Sequence, residues 1–229
     1  MKSKNANNPT SVSIQFDFKT EFLTTGAEKV GKYQFAQLRP ETLLPNSTNK
    51  ILPINYMLST LDKSNCWFHC FVRDEEFNRL WNNPYKYDSQ ILEAKGFIST
   101  DFSLYRDMSL DEVVWNCRRN RAHAYHIQNI GGHVIPTAGF GAEWTWDWVF
   151  DGLPCNSPLA ITTNGGLTDP EARRLFVGGV DALVKKKHPS ALVVCGNYPE
   201  WLDTKYPDIQ IVKIPNFNQF RRSQSTNKM

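Results

Sequence analysis

Asp101, Ser103, Arg106 and Asp107 stand close together in the run GFISTDFSLYRDMS, Gly96 to Ser109. Glu143, Asp147 and Asp151 follow further on in EWTWDWVFDG. Carboxylates that converge at one mouth can hold a hard cation such as Mg²⁺ or Mn²⁺ through oxygen ligands, with Asp101 and Asp107 as the first candidates. They can instead divide into a general acid and a general base when their surroundings differ. Asp101, Asp107, Ser103 and Glu143 are therefore the candidate catalytic residues. The plainer alternative is that Asp101 or Asp107 caps or orients a turn, or that Asp107 pairs with its neighbour Arg106.

Around them lie residues suited to binding. Arg106, Arg119 and Arg121 can clamp an anionic group, because a guanidinium meets phosphate or carboxylate with a rigid fork of donors. The alternative for each is a structural ion pair. Asn164, in TTNGG, belongs to a turn whose glycines can let backbone N–H groups approach a ligand, and no GK[ST] follows to make it a P-loop. Asn197 follows a later apolar run. Cys66, His69 and Cys70 in CWFHC do not make a zinc site, since alternate residues of a strand face opposite sides. His123 and His126, one helical turn apart, are expected to be exposed. Trp144, Trp146 and Trp148 suit core packing better than a stacking platform.

The elements that must position these groups can be read from periodicity. Apolar runs without polar alternation, at 66–72, 96–100, 133–137, 159–163, 191–195 and 209–214, fit buried parallel strands. Helical stretches lie between them, which implies β-α units. Ser109 followed by Glu112 fits a capping box, and Asp169 before Pro170 fits an N-cap with proline at the first helical position. The fold class expected is α/β, a parallel sheet of repeated β-α units. An incomplete or irregular TIM-like barrel is favoured over an open doubly wound sheet, because polar residues end nearly every strand rather than clustering at one switch point. Residues 1–11 read as a disordered tail, 12–220 as a single domain with an irregular lead-in over 12–64, and 221–229 as a basic tail. SVSIQFDF, in the lead-in, alternates as a strand would.

The chain has 229 residues, 41% hydrophobic, which is enough for a core without disulfide staples. A formal charge of +3 argues against a nucleic-acid binder that works by bulk charge. Five cysteines, without a CxxC pair, suit reduced thiols in the cytoplasm. The N-terminal stretch lacks the apolar core of a secretory signal, and no apolar run is long enough to span a membrane.

The strings RLWNNPYKY, STDFSLYRDM, WNCRRNRA and VIP resemble a domain-of-unknown-function family of phages, plasmids and other bacterial mobile elements, over roughly residues 67–197. The resemblance implies a protein of the host cytoplasm encoded near replication or accessory genes, and no defined activity. It marks Asp101, Ser103, Tyr105, Arg106, Asp107, Trp115, Asn116, Arg119 and Arg121 as motif positions. It also implies two departures, AGFG in place of an Arg-Trp-Gly-like string and TTNGG in place of a His-Gly. Two functions follow as expectations. One is an enzyme, such as a metal-dependent hydrolase or nuclease, acting on a nucleotide or nucleic acid. The other is a non-catalytic module that binds nucleic acid or a host or phage protein.

Overall fold

The computed structural model describes residues 16–226. Seven parallel strands form its frame, and their order in space is their order in sequence. Four make one sheet: β3 (Lys50–Pro53), β4 (Cys66–His69), β5 (Gly96–Ile98) and β6 (Val134–Ile135). Three make another: β7 (Leu159–Thr162), β8 (Ala191–Cys195) and β9 (Gln210–Ile214). The register pairs Trp67 with Gly96, Phe97 with Val134, and Leu159 with Leu192. A parallel bridge between Thr137 and Ala160 links the two sheets. The interior strands are buried along almost their whole length, whereas β3 and β9 keep exposed positions. Such two-sided burial is what the unalternating apolar runs imply.

The helices follow the strands. They are α2 (Asp74–Asn82), α3 (Asp88–Leu92), α4 (Leu110–Asn129), α5 (Pro170–Lys187), α6 (Trp201–Lys205) and α7 (Phe217–Thr226). Both anticipated helix starts are present. Ser109 and Glu112 close a capping box on α4, and the Asp169 side chain accepts from Ala172 N on α5. One face of the strands packs against these helices in the larger core. The other face contributes Ile51, Trp67, Ile98, Ile135, Ala160, Val193 and Ile214 to a second core, joined by Leu43, Leu44 and Phe71 and, among the described residues, by none from a helix. Tyr56, just past β3, meets Phe220 of α7 edge-on with ring centroids 5.2 Å apart. Among the described residues no helix is long and apolar enough to cross a membrane.

The lead-in departs from its sequence reading. Phe16–Leu23 is a helix, α1, so its part of SVSIQFDF is not a strand, and residues 11–15 lie outside those described. A short antiparallel pair follows, β1 (Lys29–Val30) and β2 (Phe35–Ala36). This segment lies over α4. Arg39 N donates to Gln128 Oε1 at 3.0 Å, Gln128 Nε2 returns a bond to Arg39 O at 2.9 Å, and Arg118 Nη2 donates to Tyr33 O at 2.7 Å. With strands on one side and the lead-in on the other, every residue of α4 from Asn120 to Gln128 is buried. His123 and His126 are therefore buried and not exposed. His126 pairs with Asp88 at 2.9 Å, and burial brings the His123 imidazole down to about 3. Residues 221–226, read as part of a basic tail, continue α7.

Two adjacent glycines fix how the loop after β6 meets α5. A Cβ on Gly178 would stand 2.3 Å from the Trp146 ring, and one on Gly179 would stand 2.2 Å from the Phe140 ring. Glycine inside a helix costs about 1 kcal/mol relative to alanine, so these two are kept for close approach. We expect Gly179→Ala to lower stability by about 1–3 kcal/mol through overpacking. Chemical denaturation checks this: a gain of stability would mean that helix propensity outweighs the Phe140 contact.

Candidate functional site

The ends of β5, β6 and β7 surround a cavity of about 400 Å³, within the range of small-molecule sites. Its walls are the 101–107 loop after β5, Ala138–Gly141 after β6, Thr162–Asp169 after β7, and the first turns of α5. The apolar part comes from Leu104, Phe140, Leu175 and Phe176, with Phe140 and Phe176 edge-on at 5.7 Å. The polar part includes Asp101, Ser103, Arg106, Asp107, Asn164 and Asp169. AGFG and TTNGG, the two segments where the resemblance implies departures, both contribute to this wall.

Side chains of α4 and α2 build the loop that carries Asp101. Asn120 accepts from Phe102 N at 2.9 Å and donates to Phe102 O at 3.3 Å, so one amide holds both polar groups of that peptide residue. Asn116 Nδ2 donates to Ser103 O at 2.7 Å. From α2, Asp74 accepts from Ser103 N at 3.1 Å and from Ser103 Oγ at 2.9 Å. Arg119 lies over the Phe102 ring at 3.5 Å from its centroid, and its guanidinium also donates to Asn116. Arg119 is thus engaged with the loop's rear side, and burial brings it down to about 10. The hydroxyl of Thr137 donates to Thr100 O at 2.7 Å and ties the end of β6 to the end of β5.

This architecture leaves Asp101 partly buried at a strand end, with its carboxyl in poor solvent. Burial, with the negative charge of Asp74 as a smaller cause, pushes that carboxyl up to about 7 against the pull of Arg121. Arg121 is 3% exposed, and its donors go to backbone carbonyls: Nε to Asp151 O at 3.2 Å, Nη2 to Val149 O at 3.0 Å and Nη1 to Thr137 O at 3.5 Å. Arg121 therefore secures the 137–151 segment to α4 and does not enter the cavity. Nearby thiols behave as buried apolar groups. Burial raises Cys70 and Cys195, and the charge of Asp101 raises both further.

The sequence candidates divide into two sets. Asp101, Ser103, Arg106, Asp107 and Asn164 line the cavity. Glu143 does not; it pairs with Arg174 at 2.9 Å on the surface, where its side chain is 61% exposed. Arg119, Arg121 and Asn197 are also outside the lining, and Asn197 accepts from Gln219 Nε2 at 3.0 Å. Arg106 does not pair with Asp107. It reaches across the cavity mouth to Asp169, the N-cap of α5, at 3.1 Å. Neither Asn120 nor Asp74 is among the sequence candidates, although Asp74 is one of the polar residues that end the strand-like runs. Asn116 and Asn120, four apart on a helix, share a face and were the available signal. Among the described residues no group of three or more His, Cys, Asp or Glu is arranged to hold a metal ion.

A carboxyl whose folded-state value is raised is more protonated in the folded chain, so its ionisation opposes folding as pH climbs. For Asp101 this loss begins near the ordinary carboxylate value and is complete once pH passes about 7. We expect Asp101→Asn to be stabilising, with little gain at pH 4, a growing gain towards pH 7 and a plateau above it, of about 2–4 kcal/mol. Thermal melts across that range check this, and a gain independent of pH would contradict it.

The chain is similar to the Gene 1 protein of Mycobacterium phage D29, at 29% identity over 193 residues covering 84% of this chain and 70% of that protein. It is also similar to the Gene 1 protein of Mycobacterium phage L5, at 28% identity over 158 residues covering 69% of this chain and 68% of that protein. No solved structure matches it. The family described as Domain of unknown function (DUF4417) matches residues 27–217, well over half of the chain, and the protein belongs to that family.

Proposed function

We propose that this is a phage accessory enzyme that moves a proton to or from a small molecule in the cavity, with Asp101 as general acid or base. The observation that carries the reading is the Asp101 carboxyl, raised to about 7 at the wall of a cavity sized for a small molecule. A group with that value exchanges protons at neutral pH, which is what general acid–base catalysis requires. Perturbed carboxyls in clefts cluster at functional sites. The phage context rests on the similarity to the two Gene 1 proteins.

The substrate we propose carries one anionic group, a phosphate or a carboxylate, and an apolar body. Arg106 is the cation in the lining, and its pair with Asp169 is half exposed. Such a pair contributes about 0–1 kcal/mol, so a ligand anion can replace Asp169 as its partner. Leu104, Phe140 and Phe176 would hold the apolar part and exclude water. Nucleic acid fits less well, because an extended polyanion is bound by several lysines or arginines together.

The architecture behind the reading is a sheet curled into an incomplete barrel with the cavity at its C-terminal mouth, where barrel enzymes carry their chemistry. It is supported by the second core, which draws on all seven strands without a helix residue, and by the Tyr56–Phe220 contact between elements that follow the two edge strands.

Incubation of the protein with a bacterial metabolite extract, followed by mass spectrometry, tests the function. The expected result is conversion of at least one anionic metabolite by the native chain, reduced by about 100-fold or more in Asp101→Asn. No conversion by the native chain, or unchanged conversion by the variant, contradicts it.

A further inference from the structure

We propose that Asp74, in the first turn of α2, is a positioning residue for Asp101, holding the backbone that carries it and presenting a like charge to its carboxyl. The inference rests on the reading of Asp101 as the proton-transfer group.

The placement follows from the topology. β4 and β5 are adjacent and parallel, and four residues separate the end of β4 from the start of α2. Its first residue, Asp74, therefore arrives beside the loop that leaves β5. Both carboxylate oxygens are used there: one accepts the Ser103 N–H, the other the Ser103 hydroxyl. The Ser103 hydroxyl is thereby engaged in supporting the loop. A carboxylate in the first turn of a nine-residue helix is also favoured by the helix dipole.

Four groups act on Asp101 or respond to it: Asp74 from α2, Arg121 from α4, and the thiols of Cys70 after β4 and Cys195 on β8. Arg121 draws Asp101 towards the charged form, but its own donors are taken by carbonyls. Burial holds the two thiols in the neutral form. Asp74 is the carboxylate whose charge opposes ionisation of Asp101. One carboxyl of the two accepts two hydrogen bonds, and the other is partly buried at the cavity wall.

The experiment is a double-mutant cycle read by thermal melts between pH 4 and 8.5. Asp101→Asn is introduced into the native chain and into Asp74→Asn. In the native chain its stabilising effect should rise towards pH 7 and then level off. In the Asp74→Asn background the effect should be smaller and should level off about one pH unit lower. Ser103→Ala, which removes a hydrogen bond but no charge, should leave the levelling point where it is. Identical curves in the native and Asp74→Asn backgrounds overturn the role of Asp74 and leave Asp101 standing. A flat curve in the native chain overturns Asp101 itself. Should Asp74→Asn not fold, Asp74→Ser, neutral and still able to accept from Ser103, gives the same comparison with the same two outcomes.

Discussion

The backbone N–H and C=O of Phe102 are both given to one side chain, Asn120, and the candidate site depends on that pair. A buried peptide group without a partner costs about as much as a lost hydrogen bond or more. Past the end of β5 the chain has left the sheet ladder and must find partners elsewhere. Asn120 supplies them from the centre of a helix that is buried continuously from that residue to Gln128. The peptide that follows Asp101 is thereby fixed to the scaffold rather than left to a mobile loop. Asn116 and Asp74 extend the same support to Ser103.

Fixing the loop this way creates an electrostatic tension that is confined to the site. Asp101 is partly buried, while Arg121, whose charge acts on it, is spent on the carbonyls of Thr137, Val149 and Asp151. The arginine thus builds the opposite wall without cancelling the charge of the aspartate. Arg119 stacks on Phe102 behind the loop. Strain of this kind is tolerated where function gains from it, and the capped helices and two cores provide the stability that offsets it. Arg106 and Asp169 stand apart as an exposed pair at the mouth, suited to exchange.

Much of this was legible in the sequence. The strands at 159–162 and 191–195 announced themselves by unbroken β-branched and apolar runs, and α4 and α5 by their caps. Asp101 stood out because a carboxylate just past an apolar strand-like run is a local pattern, and it lines the cavity. What the sequence concealed was long-range. β3 is a half-exposed edge strand among turn residues, so its apolar signal was weak. Glu143 follows β6 in sequence, yet the intervening segment turns away and leaves it at the surface. His123 meets Phe97 of β5 and His126 meets Tyr85 and Asp88, contacts that no property of α4 itself reveals. The roles of Asn120 and Asp74 were hidden because their partners are backbone atoms and one hydroxyl of another segment.

The central claim is that the folded chain holds one carboxyl near neutrality at the cavity wall. A ¹³C-NMR titration of aspartate side-chain carboxyls, with Asp101 assigned through Asp101→Asn, measures this without knowledge of the substrate. The account predicts a midpoint of about 7 for Asp101. A midpoint near 4, the ordinary value for an aspartate, would contradict it.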